Sequence, residues 1–161
     1  MKKKIAVLAV LLATTISSFA QFQQGKPYAG ASLSGLDLSY AMRHKWNFDI
    51  QGKVGYFIID NIMFTANLEY GKHYEEPTTF KMGPGARYYI VQNGLYLGAG
   101  VDYVHKFHTY DDFVPNFQLG YCYFLSRTVT VEPELFYNQS FKNHNEYSNF
   151  GFRIGFGIYL E

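Results

Sequence analysis

Five histidines, His44, His73, His105, His108 and His144, are the residues of this 161-residue chain best suited to proton transfer or metal binding. No pair of them has the i, i+4 spacing of a helical ligand pair, and Lys106, between His105 and His108, disfavours a cation there. The stretch His144-Asn145-Glu146-Tyr147-Ser148-Asn149 holds a histidine, a carboxylate and a hydroxyl, the three groups of nucleophilic ester hydrolysis. Asp49 with Glu69, and Glu132 with Glu134, are the paired acids that glycosidic chemistry uses. Cys122 is the one cysteine, which rules out an internal disulfide and a cysteine-based zinc site. What these groups do depends on where the backbone points them.

The first twenty residues set the compartment. Met1-Lys2-Lys3-Lys4, the apolar run from Ile5 to Ala13 and the ending Ser18-Phe19-Ala20 read as an export signal, with cleavage expected before Gln21. The run is too short for the ~20 residues that span a bilayer as a helix, and no cysteine follows it for lipid attachment. The expected organisation is a signal peptide over 1–20 and a single domain over 21–161. Without the leader's three lysines, 11 basic residues face 13 acidic ones, a balance that argues against nucleic acid as a partner. Fifteen Tyr, 15 Phe and 15 Gly favour strands and turns over helices. The mean hydropathy of −0.14 would by itself suggest a soluble chain, but an average taken along a strand cancels its apolar face against its polar one.

The informative signal has period two. Trp46, Phe48, Ile50, Val54, Tyr56 and Ile58 alternate with Asn47, Asp49, Gln51, Lys53 and Phe57, and Ile62, Phe64, Ala66, Leu68 and Tyr70 alternate with Met63, Thr65, Asn67 and Glu69. The pattern continues through Phe80–Ile90, Leu95–Tyr103, Phe113–Tyr123 and Val129–Tyr137. It is cleanest from Phe150 to Leu160, where Phe152, Ile154, Phe156 and Ile158 alternate with Gly151, Arg153, Gly155 and Gly157. A weaker strand is assigned to about Tyr28–Tyr40, making eight. Tight turns at Ile59-Asp60-Asn61, Gln92-Asn93-Gly94 and Ser126-Arg127 alternate with longer polar loops at Met42–Lys45, His73–Thr78, His108–Asp112 and Phe141–Tyr147. This is the connectivity of an up-and-down meander. Pro84, Pro115 and Pro133 fall at strand positions and cannot donate to a ladder, so local bulges are expected there.

Which face turns outward decides the class. The polar face carries Asp49, Glu69, Asp102, Glu132 and Glu134 against Lys53, Lys81, Arg87, Lys106 and Arg153, a charge balance that suits pairing in a confined interior. Ten of the 15 glycines share that face, leaving room for long side chains in a narrow barrel. The other face carries roughly forty apolar side chains, far beyond the ~300–600 Å² patch that a soluble monomer exposes. A soluble lipocalin-like barrel would bury that face, whereas a membrane barrel turns it to lipid. The lipid-facing arrangement is the expectation: an all-β, eight-stranded antiparallel up-and-down transmembrane β-barrel. Tyr56, Tyr88, Tyr121 and Tyr123 near the tight turns, and Tyr40, Trp46, Tyr70, Tyr103, Tyr137 and Phe150 toward the loops, fit the two interfacial belts.

Three segments carry a family likeness: Lys53-Val54-Gly55-Tyr56-Phe57, Gly83-Pro84-Gly85-Ala86-Arg87-Tyr88-Tyr89 and Gly120-Tyr121-Cys122-Tyr123-Phe124-Leu125. Each is a strand end that runs into a tight turn. On these the chain, over about Tyr28–Glu161, resembles the outer-membrane β-barrel domain family, the small eight-stranded barrels of the OmpX and OmpA-transmembrane type. The resemblance implies a Gram-negative outer-membrane location, periplasmic turns and outward loops. It also implies a monomer in contact with lipid and lipopolysaccharide, inserted by the barrel assembly machinery. No peptidoglycan-binding domain is expected after Glu161, and the ending Tyr159-Leu160-Glu161 departs from the terminal aromatic residue usual in such barrels.

With that fold, the candidate chemistry thins out. The acid pairs become interior ion pairs, Cys122 a buried inward thiol, and eight strands leave no porin-like channel. His144 and Ser148 lack the compact His-x-Ser spacing of lipid A deacylases. The expectation is no catalytic residue, no metal site and no cofactor. The role is then structural or interactive, in envelope integrity or adhesion, with Arg43, Lys45, Glu75, Glu76, Asp111, Asp112 and Glu146 offered outward to an extracellular partner. The alternatives are a lipid-modifying barrel enzyme of the lipid A deacylase kind and a soluble lipocalin-like ligand-binding barrel.

Overall fold

A computed structural model describes residues 22–34, 47–73, 78–90, 94–106, 110–142 and 148–160. Eight strands result: β1 (Pro27–Ser34), β2 (Asn47–Ile59), β3 (Ile62–His73), β4 (Thr79–Tyr89), β5 (Leu95–Lys106), β6 (Tyr110–Tyr121, resuming as Tyr123–Phe124), β7 (Val129–Asn138) and β8 (Asn149–Tyr159). Each pairs antiparallel with its neighbours in the chain, and β1 pairs with β8 from Tyr28↔Tyr159 to Leu33↔Ile154. The sheet closes on itself, so no edge is left for lipid to meet. Eleven residues of β8, at about 3.3 Å each and tilted by about 45°, rise about 25 Å, the height of an outer-membrane core. The leader and the segment 35–46 lie outside the described residues.

The alternation resolves as the lipid-facing arrangement. On β8, Arg153 is 7% exposed while its neighbours Ile154 and Phe156 are 42% and 54% exposed. Val54, Phe64, Leu68, Leu97, Phe117 and Leu135 likewise point outward, and Lys53, Asn67, Glu69, Arg87, Asp102, Glu132 and Glu134 point inward. Tyr56, Tyr70, Tyr88, Tyr123 and Phe150 stand on the outer surface as the belts require; Tyr40 and Trp46 lie outside the described residues.

The tight turns have local causes. Asn61 takes φ 64°, a left-handed conformation that its short amide side chain tolerates, to close Ile59–Ile62. Gly94 does the same at φ 72° before β5. Ser126 Oγ accepts from the Thr128 and Val129 amides at 3.3 and 3.1 Å, which ties the β6–β7 turn. At the opposite end the loop expected at His108–Asp112 is shorter, because β6 already starts at Tyr110. Asp112 is therefore not an outward loop residue. It is buried and accepts from Ser140 Oγ at 2.7 Å.

The three prolines correct the expectation of bulges. Amides and carbonyls along an antiparallel strand face alternate neighbours, so a missing N–H is felt on one side only. Ile90 donates to Leu95 at 2.7 Å, and counting back by twos makes Pro84 the would-be donor to Val101. The β4–β5 ladder lapses between Met82↔Tyr103 and Gly85↔Gly100, and its register resumes unchanged. Leu125 donates to Val129 at 2.9 Å, and the same count brings Pro133 opposite Tyr121, where β6 is interrupted. Pro115 accepts from Gln139 at 2.9 Å and can return nothing, so the β6–β7 ladder ends beside it. Each proline costs one hydrogen bond and shifts no register.

The interior departs in one respect from the sequence expectation. The barrel axis is not charged throughout: near the tight turns it is filled by Phe22, Tyr28, Phe57, Met63, Tyr89, Tyr96, Cys122 and Tyr159. Phe22, from the segment before β1, stacks on Tyr89 at 4.3 Å and meets Tyr159 edge-on at 5.7 Å. Its carbonyl accepts from Asn61 at 2.8 Å, and Gly25 donates to Phe57 at 2.9 Å, so the segment is stitched to the β2–β3 turn.

Two outcomes test this arrangement. Ile154→Lys should cost about 2–4 kcal/mol in urea unfolding from lipid vesicles, as a charge near mid-bilayer does; a change within about 0.5 kcal/mol, normal for a water-exposed site, would place that face in solvent. Phe22→Ala should cost about 3–5 kcal/mol, as loss of a buried ring does, in the same measurement.

Candidate functional site

Glu132 and Glu134 lie two residues apart on β7, so both side chains point into the lumen. Arg87 on β4 bridges them, with Nη1 donating to Glu132 Oε2 at 2.8 Å and Nη2 to Glu134 Oε2 at 2.7 Å. Arg153, opposite Glu134 in the β7–β8 ladder, gives its Nε to Glu134 Oε1 at 2.5 Å and adds a second contact through Nη2. Lys53 Nζ stands 3.7 Å from Glu134 and donates to Gln118 at 3.0 Å. Three cations from three strands thus meet two carboxylates from one.

Aromatic residues complete this cluster. Tyr96 donates to Glu134 at 2.7 Å and Tyr28 to Glu132 at 2.9 Å, and the Arg87 guanidinium lies 4.2 Å over the Tyr96 ring. Arg153 lies 4.7 Å over Phe136. Gly120 and Gly151 give these rings room, because a Cβ at either position would collide with Tyr96 or Phe136 respectively. Tyr96 shares its parity with Asp102, and Phe136 shares that of Glu132 and Glu134, so alternation carries a signal that could have flagged both as lumen residues. A cavity of about 10 Å³ is left among Lys53, Arg87, Tyr96, Glu132, Glu134 and Arg153, room for about one water.

Toward the long loops the lumen is held by smaller groups of contacts. Lys81 pairs with Glu69 at 2.5 Å, Gln51 donates to Glu69 at 3.4 Å, and Asn116 donates to Asp102 at 2.7 Å. On the outer face of the same end, Asp111 accepts from Tyr103 Oη at 2.9 Å and lies 2.6 Å from His105 Nδ1. The Lys142 ammonium donates to the Asp111 carbonyl. This exposed cluster ties β5, β6 and the loop after β7 together.

The chemistry weighed from the sequence distributes accordingly. Glu132 and Glu134 are both ion-paired, as is Glu69; the Asp49 and Lys106 side chains lie outside the described residues. Cys122 is buried, with Sγ 3.2 Å from Tyr159 Oη. Among the trio His144, Glu146 and Ser148, only Ser148 is described, and its Oγ accepts from the Ser140 amide at 3.0 Å. His44, His108, Arg43, Lys45, Glu75 and Glu76 also lie outside the described residues, as does the His73 side chain. Among the described residues no three His, Cys, Asp or Glu side chains converge on a metal position. A shallow apolar groove of about 690 Å³, floored by Ala86 and Ala99 and walled by Tyr88, Phe117, Tyr137 and Phe150, lies on the lipid-facing wall.

Removing one member of a buried charge cluster strands the others. Glu134→Ala leaves Arg87, Arg153 and Lys53 with one carboxylate fewer, and a loss of about 3–5 kcal/mol is expected in denaturant unfolding from micelles. A loss under about 1 kcal/mol would mean that water already screens the cluster.

Comparison with known proteins agrees with this architecture. The N-terminal β-barrel domain of Pseudomonas aeruginosa OprF superposes with a TM-score of 0.61 at 15% identity, covering 86% of this chain and 98% of that one. Neisserial surface protein A gives 0.53 at 18%, covering 83% and 93%, and a de novo designed transmembrane β-barrel gives 0.55 at 16%, covering 86% and 98%. No curated protein matches the sequence significantly. The model of the outer membrane protein beta-barrel domain matches residues 6–159, nearly the whole chain. A closed eight-stranded wall, apolar outside and ion-paired within, is therefore matched by sequence family as well as by shape, and the chain belongs to the outer membrane protein β-barrel domain family.

Proposed function

We propose that this barrel is a non-enzymatic component of a Gram-negative outer membrane that strengthens the envelope and presents its long loops for contact at the cell surface. The observation that carries the reading is the use of the lumen. The charges of the Glu132–Glu134 cluster are spent on one another and on tyrosine hydroxyls, and the aromatic layer around Phe22 fills the tight-turn end. Such an interior favours a rigid peg over a channel, since wide water-filled pores belong to barrels of sixteen or more strands. The tight turns face the periplasm and the long loops face outward, with lipid and lipopolysaccharide around the wall. The barrel assembly machinery is its partner during insertion, and the inserted form is a monomer.

A strain lacking the gene tests this directly. Loss of the barrel should raise detergent sensitivity and leakage of periplasmic enzymes while the lipid A acyl pattern in mass spectra stays unchanged. An altered acyl pattern, restored by the intact gene, would instead make the protein a lipid-modifying enzyme. Recovery of the folded protein in the periplasmic wash would sink the membrane assignment.

A further inference from the structure

The lipid-facing wall carries a groove whose course follows the strand pairing. Ala86, Ala99, Phe117, Tyr137 and Phe150 form one row of outward residues, each paired with the next from β4 to β8. The row beside it, nearer the tight turns, runs from Ile62 of β3 through Tyr88 and Leu97 to Leu135 of β7. Both rows line the groove of about 690 Å³, and the two alanines are its floor. Two methyl groups set among rings and leucines make the depression.

The groove crosses the bilayer obliquely. Residues of one row stand along the hydrogen-bonding direction, and strands tilted by about 45° tip that direction by the same angle. From β3 to β8, strand spacings of about 4.8 Å then climb about 17 Å of the ~25 Å apolar core. The low end lies beside the tight turns, at Ile62 and Tyr88, and the high end beside the long loops, at Tyr137 and Phe150. These are the depths of the two aromatic belts. The residues next above the high end, Asn138, Gln139 and Asn149, are uncharged amides.

We propose that this groove seats one acyl chain of a lipid from the loop-side leaflet, gripped by its hydrocarbon and not by its headgroup. Inside a bilayer no water drives apolar surfaces together, so packing is what distinguishes one stretch of wall from another. A chain lying on a convex wall is touched from one side. In the groove it is touched by the alanine floor and by both banks, and every atom pair adds attraction. The volume falls within the ~300–1,000 Å³ of small-ligand sites. A second copy of the barrel fits worse, because a two-fold pair would set the groove against itself, concave to concave. The amides at the mouth carry no charge to meet a phosphate, so the hold falls to the chain.

The test uses the full barrel refolded in phosphatidylcholine nanodiscs and released without detergent in a mass spectrometer. As collision energy rises, the surrounding lipids should be shed first and one should persist on the barrel. The double variant Ala86→Phe with Ala99→Phe fills the groove and should cut the population carrying that lipid about tenfold. Ala29→Phe, on the outer face of β1, should leave it unchanged. Shedding to bare barrel with no one-lipid step in the wild type overturns the proposal without recourse to any variant. An undiminished step in the filled double variant overturns it too; should that variant fail to fold, an undiminished step in Ala99→Leu does the same. A step that appears only when lipopolysaccharide is added to the disc would make the headgroup the determinant. Release as a lipid-free dimer would give the groove to a second copy, and either result overturns the proposal.

Discussion

A membrane wall leaves no solvent for backbone amides, so the sheet had to close, and closure creates an interior that must then be filled. Everything else in the molecule answers to that constraint. Eight strands make a lumen narrow enough for side chains to bridge it. Glu134 is the piece on which the filling depends: it takes Arg87, Arg153 and the Tyr96 hydroxyl at once, from β4, β8 and β5. Arg153 comes from the neighbouring strand, but Arg87 and Tyr96 reach Glu134 from strands that are not its neighbours, so those contacts brace the cylinder across the lumen. Hydrogen bonds around the circumference and ion pairs across it do separate jobs.

Much of this was legible in the residues, and for a definite reason. Period-two alternation is a direct record of which face a strand buries, and on β8 the sequence Phe152-Arg153-Ile154-Gly155-Phe156 could be assigned from parity alone. The inner face of Glu69, Asp102, Glu132 and Glu134 was readable in the same way, as was the inward Cys122. Parity says which side a residue takes and nothing about depth. Hence the aromatic layer of Phe57, Tyr89, Tyr96 and Tyr159 could not be told from its charged neighbours on the same face. Phe22 carried no signal at all, since it precedes the first strand and alternates with nothing.

The errors of detail share a cause as well. Asp111 and Asp112 look like loop residues because acids cluster in loops, yet β6 begins at Tyr110 and the hydroxyl of Ser140 gives Asp112 a reason to be buried. Bulges were the natural expectation for Pro84, Pro115 and Pro133, since a lost donor is commonly accommodated by an extra residue. At each proline one lapsed bond suffices, and the register on either side of it is the same. Which pairs join was set by alternation, and which groups meet across the lumen was not, because Arg87 reaches Glu132 over 45 residues of chain.

The seating of Phe22 bears on the order in which the molecule is put together. Its ring touches Phe57 of β2, Tyr89 of β4, Phe124 at the end of β6 and Tyr159 of β8, surfaces that come together only once the first and last strands have met. The complete seat of this ring therefore exists only where both ends of the chain are in place, and Phe22 sits in the finished cylinder as a keystone that touches strands from its beginning, its middle and its end.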